Sequence, residues 1–337
     1  MTNLSLLGKK IILFCPKTFG YEQEILREMK NMGAEVTYRS VRPVEHGWII
    51  ALLRIFPKLA WRFSDLFFFP WLEKIAPKQC DIILIIKGEG ISPNFLKKLR
   101  SRYQNAQFIL YLWDSLSNCK HIELKFPFFD DYYSFDPSDC KDFPQFTFRP
   151  LFFLDKYLTN GNTSEGKGIF FVGTLNGDRP RVISRLLSTL DQQVRFNYFL
   201  FVRSRIELAL RRLIDKHLRK LGDDRLIFKP ISTETLVNHI NNCAAVLDIE
   251  HPNQTGLTMR TFEVIASGKK LITTNKSILG QDFYDATRIH VIDRVTPIVS
   301  NDFLDSELPP LSEDFILKNS LRGWLSAILG VKISEAG

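Results

Sequence analysis

Short apolar runs punctuate this chain, and most are followed by a stretch in which apolar residues recur at helical spacing. In the first half the runs are 9–15 (KKIILFC), 35–38 (EVTY), 80–87 (CDIILIIK) and 108–113 (FILYLW); in the second they are 169–172, 196–202, 224–229, 244–249, 270–274 and 289–292. Continuous rather than alternating apolar residues predict strands covered on both faces, the habit of parallel sheets. Helices are predicted over 21–32, closed by Gly33, from Ser92-Pro93 onward, and over 182–190, 206–221, 258–266 and 314–329. Ser232-Thr233-Glu234 reads as the cap of one more, running to 242. Strands and helices alternating in this order predict an α/β protein.

The polar run 160–168 (NGNTSEGKG) predicts a flexible joint, so the chain divides into domains at 1–158 and 169–308, a linker at 159–168 and a terminal segment at 309–337. Residues 127–157 alternate aromatics with Asp and Pro and predict short strands and turns.

Residues 46–74 break the pattern. Trp48, Ile49, Leu52, Leu53, Phe56, Leu59, Ala60 and Phe63 recur at helical spacing, while Arg54, Lys58 and Arg62 fall four apart and share a face. Basic on one side and aromatic on the other predicts a helix lying in a membrane interface, although a core helix with a solvated basic face gives the same pattern. Pro57 and Asp65 argue against a span, and no segment reaches the roughly 20 apolar residues a span needs.

Composition narrows the partners. An apolar fraction of 45% with 24% charged residues is that of a folded soluble protein, and 337 residues suffice for two cores. Twenty-eight phenylalanines and a formal charge of +8 point to anionic partners, either a phosphorylated substrate or a membrane surface. No nucleic-acid-binding signature is present and the charge is spread along the chain, so no nucleic acid partner is expected. Five scattered cysteines without CxxC spacing indicate neither a disulfide framework nor a zinc site, which fits the cytoplasm. The apolar run that ends at Pro16 is too short for a signal peptide.

Chemistry concentrates in 254–275, QTGLTMRTFEVIASGKKLITTN. Strand, glycine turn, helix and strand follow one another, and a helix N-terminus after a glycine turn suits an anion. Gly256 lets backbone approach a ligand, and its amide and that of Leu257 can donate. Thr258 and Thr261 offer hydroxyls, Arg260 a charged fork, and Glu263 a carboxylate for vicinal ribose hydroxyls. Gly173-Thr174 followed by Arg179 and Arg181 reads as a second anion site, and Lys229, at the end of a strand, is a further phosphate candidate.

The stretch resembles the donor-site motif of GT-B glycosyltransferases, in particular the group-1-like enzymes of bacterial capsule and lipopolysaccharide synthesis. The resemblance covers 169–294 well and the first half in outline. It implies two Rossmann-like domains with a cleft between them and a terminal helix crossing back onto the first. It also implies transfer of a sugar from a nucleotide donor to a hydroxyl of a glycan or lipid-linked acceptor, at the inner face of the cytoplasmic membrane. Many retaining members carry a Glu eight residues before the second one; Thr255 stands there, which favours inversion. An inverting transfer needs a general base. Asp114 and Glu89, each just after a predicted strand, are the candidates, with Glu22 a third. No cofactor or metal is expected, although Asp130-Asp131 comes near a metal-binding pair. A nucleotide-sugar epimerase and a non-catalytic nucleotide-sugar-binding scaffold are the alternatives.

Overall fold

The computed structural model describes residues 5–43, 56–158, 168–252 and 254–331. Arg54, the part of the amphipathic stretch before 56, and nearly all of the polar joint lie outside the described residues. Two compact units are present, Met1–Leu151 with Leu321–Gly337, and Phe152–Ser320. Each is built on a six-stranded sheet in which every paired strand is parallel.

In the first unit the strands are β1 (Lys10–Phe14), β2 (Glu35–Arg39), β3 (Ile82–Ile86), β4 (Gln107–Leu112), β5 (Asp131–Ser134) and β6 (Thr147–Phe148). Their order is β2-β1-β3-β4-β5-β6, a doubly wound sheet in which the order of strand addition reverses between β1 and β3. All five residues of β3 are buried, as expected of a central parallel strand. Against one face lies the helix Pro57–Lys74, which starts on a proline and buries Ala60, Trp61, Ser64, Phe68, Trp71 and Leu72. Phe14 meets Trp71 edge-on at 5.4 Å, and Phe95 stacks at a tilt on Phe68 at 5.1 Å. Lys58 and Arg62 are exposed, as the amphipathic pattern requires. Leu59, however, is exposed with them, together with Leu66 and Phe67. The helix therefore has a buried face, a polar face and an outward apolar stripe rather than two sides.

The second unit holds β7 (Ile169–Thr174), β8 (Phe196–Phe201), β9 (Leu226–Ile227), β10 (Ala245–Asp248), β11 (Lys270–Thr273) and β12 (Ile289–Val291). Their order, β12-β11-β10-β7-β8-β9, is the Rossmann order, with the switch point between β7 and β10. The expected strand 224–229 shrinks to two residues because Asp223–Arg225 form a 3-10 turn. The helix expected over 206–221 spans Arg205–Ile214, since Asp215 Oδ1 accepts the backbone N–H groups of His217 and Leu218 and turns the chain.

The terminal helix expected over 314–329 is two helices, Glu313–Asn319 and Leu321–Ile328, which belong to different units. The latter buries Trp324 against Tyr111, ring centroids 4.7 Å apart, and Arg322 donates to Glu28 at 2.6 Å. Among the described residues no helix is long and apolar enough to cross a membrane.

Candidate functional site

In open parallel sheets ligands settle outside the carboxyl ends of the strands at the switch point. In the second unit that place is made by the loop after β7 and the loop after β10. The two meet: a side chain on Gly177 would come within 3.2 Å of Pro252. Gly177 itself is left-handed at φ +57°, so the turn lies there and not at Gly173-Thr174, which belong to β7. Gly173 has a different function, because a Cβ there would meet the Phe171 ring at 2.8 Å and the Arg179 guanidinium at 3.3 Å.

Arg179 opens the helix Arg179–Thr189 and staples the two loops, donating from Nε to the Ile249 carbonyl at 2.8 Å and from Nη1 to the Thr174 carbonyl at 2.9 Å. Burial pulls its pKa down, while Asp248 and Glu250 act the other way. Arg179 thus shapes the crevice with at least two of its N–H groups. Arg181, two residues on, is exposed.

Gly256 and Leu257 are buried beneath the loop, which is tied down by side chains. Gln254 Nε2 donates to the Gly256 carbonyl at 2.8 Å, and Asn275 Nδ2 to the same carbonyl at 3.2 Å and to that of Thr255 at 3.3 Å. Thr258 caps the helix Met259–Ala266. Its hydroxyl and that of Thr261, expected to be offered to a ligand, both donate to Asp248 Oδ2, at 2.6 and 3.0 Å. The threonines therefore fasten the helix N-terminus to the end of β10. That leaves the helix amides as the anion-directed groups.

Glu263, the carboxylate expected to meet vicinal ribose hydroxyls, already has an intramolecular partner. It is 1% exposed, and its Oε2 accepts from Arg260 Nη1 at 2.7 Å. Burial pushes the Tyr157 hydroxyl well above its ordinary range, and Glu263, in hydrogen-bond contact with it, adds to the rise. Glu263 thus holds Arg260, a partly exposed guanidinium at the first turn of the helix. Lys229 is exposed beyond β9, the edge strand, and β8 separates it from the switch point.

Sequence reasoning missed Arg294. It pairs with Asp178 at 2.7 Å and with the Glu250 carboxylate, and donates to the Glu250 carbonyl at 3.0 Å. Thr274 donates to the other oxygen of Glu250 at 2.6 Å. Its position just past a predicted last strand was the available signal.

In the first unit the corresponding place lies beyond β1 and β3. Lys87 and Gly88 are both left-handed, at φ +66° and +62°, directly after β3. A non-glycine residue held so costs roughly 1–2 kcal/mol, and what it gains is position. Lys87 Nζ lies 2.5 Å from Asp114 Oδ2 and 3.2 Å from Glu89 Oε2, and Arg42 completes the cluster on Glu89. Burial works against the Glu89 carboxylate, but Lys87 and Arg42 outweigh it and hold its pKa below the ordinary value. Lys87, equally buried, is raised because Asp114 and Glu89 overcome its desolvation. Beneath the loop, Trp61 Nε1 donates to the Glu89 carbonyl at 2.9 Å and Lys125 Nζ to the Gly88 carbonyl at 2.7 Å. Asp114 is the open member, its side chain 38% exposed and, among the described residues, ion-paired with Lys87. Glu22 is buried and accepts the Thr18 backbone N–H at 3.0 Å, fixing its own loop.

No protein-family model and no curated protein matches the chain. Solved structures do. A glycosyltransferase from Rickettsia africae ESF-5 superposes with a TM-score of 0.61 at 12% identity, covering 96% of this chain and 97% of that one. Anabaena HepE in complex with UDP and glucose gives 0.49 at 11% identity over 95% and 94%. A protein described as a putative UDP-N-acetylglucosamine 2-epimerase from Listeria monocytogenes gives 0.49 at 10% over 96% and 91%. The fold is the two-domain GT-B fold, with two parallel α/β units.

Proposed function

We propose that this protein is a glycosyltransferase that moves a sugar from a nucleotide-activated donor to a hydroxyl of a membrane-associated glycan or lipid-linked acceptor. The observation that carries the reading is the meeting of the loops after β7 and β10 at the switch point, where Arg179 donates to the Ile249 carbonyl, the second loop running on through Gly256 and Leu257 into the N-terminus of the Met259–Ala266 helix. Amides, a helix dipole and Arg260 converge there on a place suited to a diphosphate. Arg260, oriented by Glu263, offsets charge on the leaving nucleoside diphosphate, and the cationic groups let the transfer proceed without a metal.

In the reaction the bond from the anomeric carbon to the diphosphate oxygen breaks. The acceptor oxygen bonds that carbon, and its proton passes to a carboxylate. Asp114 takes that role in preference to Glu89, because it is open and Glu89 is held in a buried ion-paired cluster. The exposed Lys58, Arg62, Leu59 and Leu66 give the first unit a surface for the inner face of the cytoplasmic membrane, where acceptors of surface polysaccharide synthesis reside.

The test is release of nucleoside diphosphate from a panel of nucleotide sugars, with and without lipid-linked acceptors and with and without a chelator. Acceptor-dependent, chelator-resistant release is expected. Donor conversion with no acceptor would replace transfer by epimerisation.

A further inference from the structure

The helix Arg205–Ile214 (RIELALRRLI) packs inside out. Amphipathic helices of globular proteins turn their apolar face to the core. Here Ile206, Leu210, Leu213 and Ile214, at positions i, i+4, i+7 and i+8, are 74, 60, 75 and 85% exposed, and no residue of the helix is fully buried. The opposite side faces inward: Leu208 packs on the core of the second unit, Arg211 bonds Glu207 at 2.9 Å, and Arg212 pairs with Asp223. Single exposed leucines need no explanation, but a continuous stripe along a helix marks a contact surface.

The rim indicates what it contacts. Arg203 and Arg205 stand exposed at the N-terminal end, and Lys216, Arg219 and Lys220 just beyond the C-terminal end. The nearby acids are already committed: Glu207 and Asp223 to arginines, and Asp215 to two backbone N–H groups. A second copy of the chain would bring two cationic rims together. Four apolar side chains also fall far short of the roughly 20–30 residues a side of a stable protein interface.

We infer that this helix docks on an anionic lipid surface. Its four aliphatic side chains enter the acyl boundary, and the flanking Arg and Lys reach headgroup phosphates. This is a second membrane contact, on the other unit from the Pro57–Lys74 helix, and it does not rest on the donor site.

The experiment is co-sedimentation of the full chain with vesicles of phosphatidylcholine alone and of phosphatidylcholine mixed with phosphatidylglycerol. The pair Leu210→Gln with Leu213→Gln touches no buried contact, so its melting temperature without lipid should match the parent. Partition onto the anionic vesicles should fall roughly tenfold in that variant. Arg203→Gln with Arg205→Gln should weaken it at low salt and reduce its salt sensitivity, Lys216, Arg219 and Lys220 carrying the remainder. The inference is overturned if the parent ignores anionic vesicles, if the aliphatic variant binds them as the parent does, or if the substitutions dissociate a dimer while leaving vesicle binding intact. Nucleotide binding, read separately by thermal shift, should be unchanged in both variants.

Discussion

At the scale of residues, the two carboxylates proposed as bases part company. Asp114 and Glu89 share Lys87, but Glu89 is buried between two cations and Asp114 opens outward. Asp114→Asn should therefore lower kcat by about 10²–10⁴-fold, with a smaller loss of stability than at Glu89, since Lys87 keeps Glu89 as a partner. Glu89→Gln should instead destabilise by about 3 kcal/mol, because it strands buried cations; denaturant melts and initial rates on both variants separate the roles. Asp114 retaining full activity would remove it as the base.

Lys125 gives a pH signature. It is fully buried, with its ammonium over the Trp61 ring at 4.6 Å, and burial brings its pKa down to about 7. Between about pH 7 and about 10.4 the unfolded chain binds a proton that the folded chain has released, so stability rises with pH by about 1.4 kcal/mol per unit. Lys125→Met should abolish that slope in denaturant melts from pH 7 to 10, and an unchanged slope would assign it to other groups. The positions of Gly256, Thr258, Arg260, Glu263, Asp114 and Glu89 near turns were readable from residue type and spacing. What was only partly readable was which polar atoms are already used: Asp248 engages both threonines and Glu263 engages Arg260. Asp248 comes from β10, at a separation that local spacing does not encode, whereas Arg260 and Glu263 stand three apart on one helix and their pairing follows from that spacing.

At the scale of elements, buried parallel strands were legible because their apolar runs are continuous, and most lie where those runs do. Ends and breaks were less so. Ser320 separates two helices whose combined pattern reads as one, because an apolar repeat carries no record of which core each half joins. The Arg205–Ile214 helix shows the same limit: its pattern was visible, but the pattern does not say that the apolar side points outward. Loop geometry leaves a sharper mark. Gly90, in the loop that carries Glu89, lies so close to the preceding chain that a Cβ would come within 2.1 Å of the Val41 carbonyl oxygen. Gly90→Ala should cost about 1–3 kcal/mol and should also reduce turnover by displacing Glu89 and Lys87. Circular dichroism melts together with initial rates test this, and a neutral substitution would show that the loop yields without consequence.

At the scale of the whole molecule, two units of one architecture carry different chemistry at their switch points. The first presents a Lys87-centred ion cluster with one open carboxylate, the second a tied-down glycine loop, helix amides and Arg260. Alternation of strand and helix was enough to anticipate two α/β units. The strand orders were not, since buried parallel strands resemble one another and their neighbours are chosen by packing. The central claim is that the second unit binds a nucleotide donor, and it is tested most directly by thermal shift of the full chain with nucleoside diphosphates and nucleotide sugars of each base. At 100 times its dissociation constant the right ligand adds about 2.7 kcal/mol of stability. The account predicts a rise with one base and its loss in Arg260→Ala. No rise with any base, or a rise that Arg260→Ala leaves untouched, would contradict it.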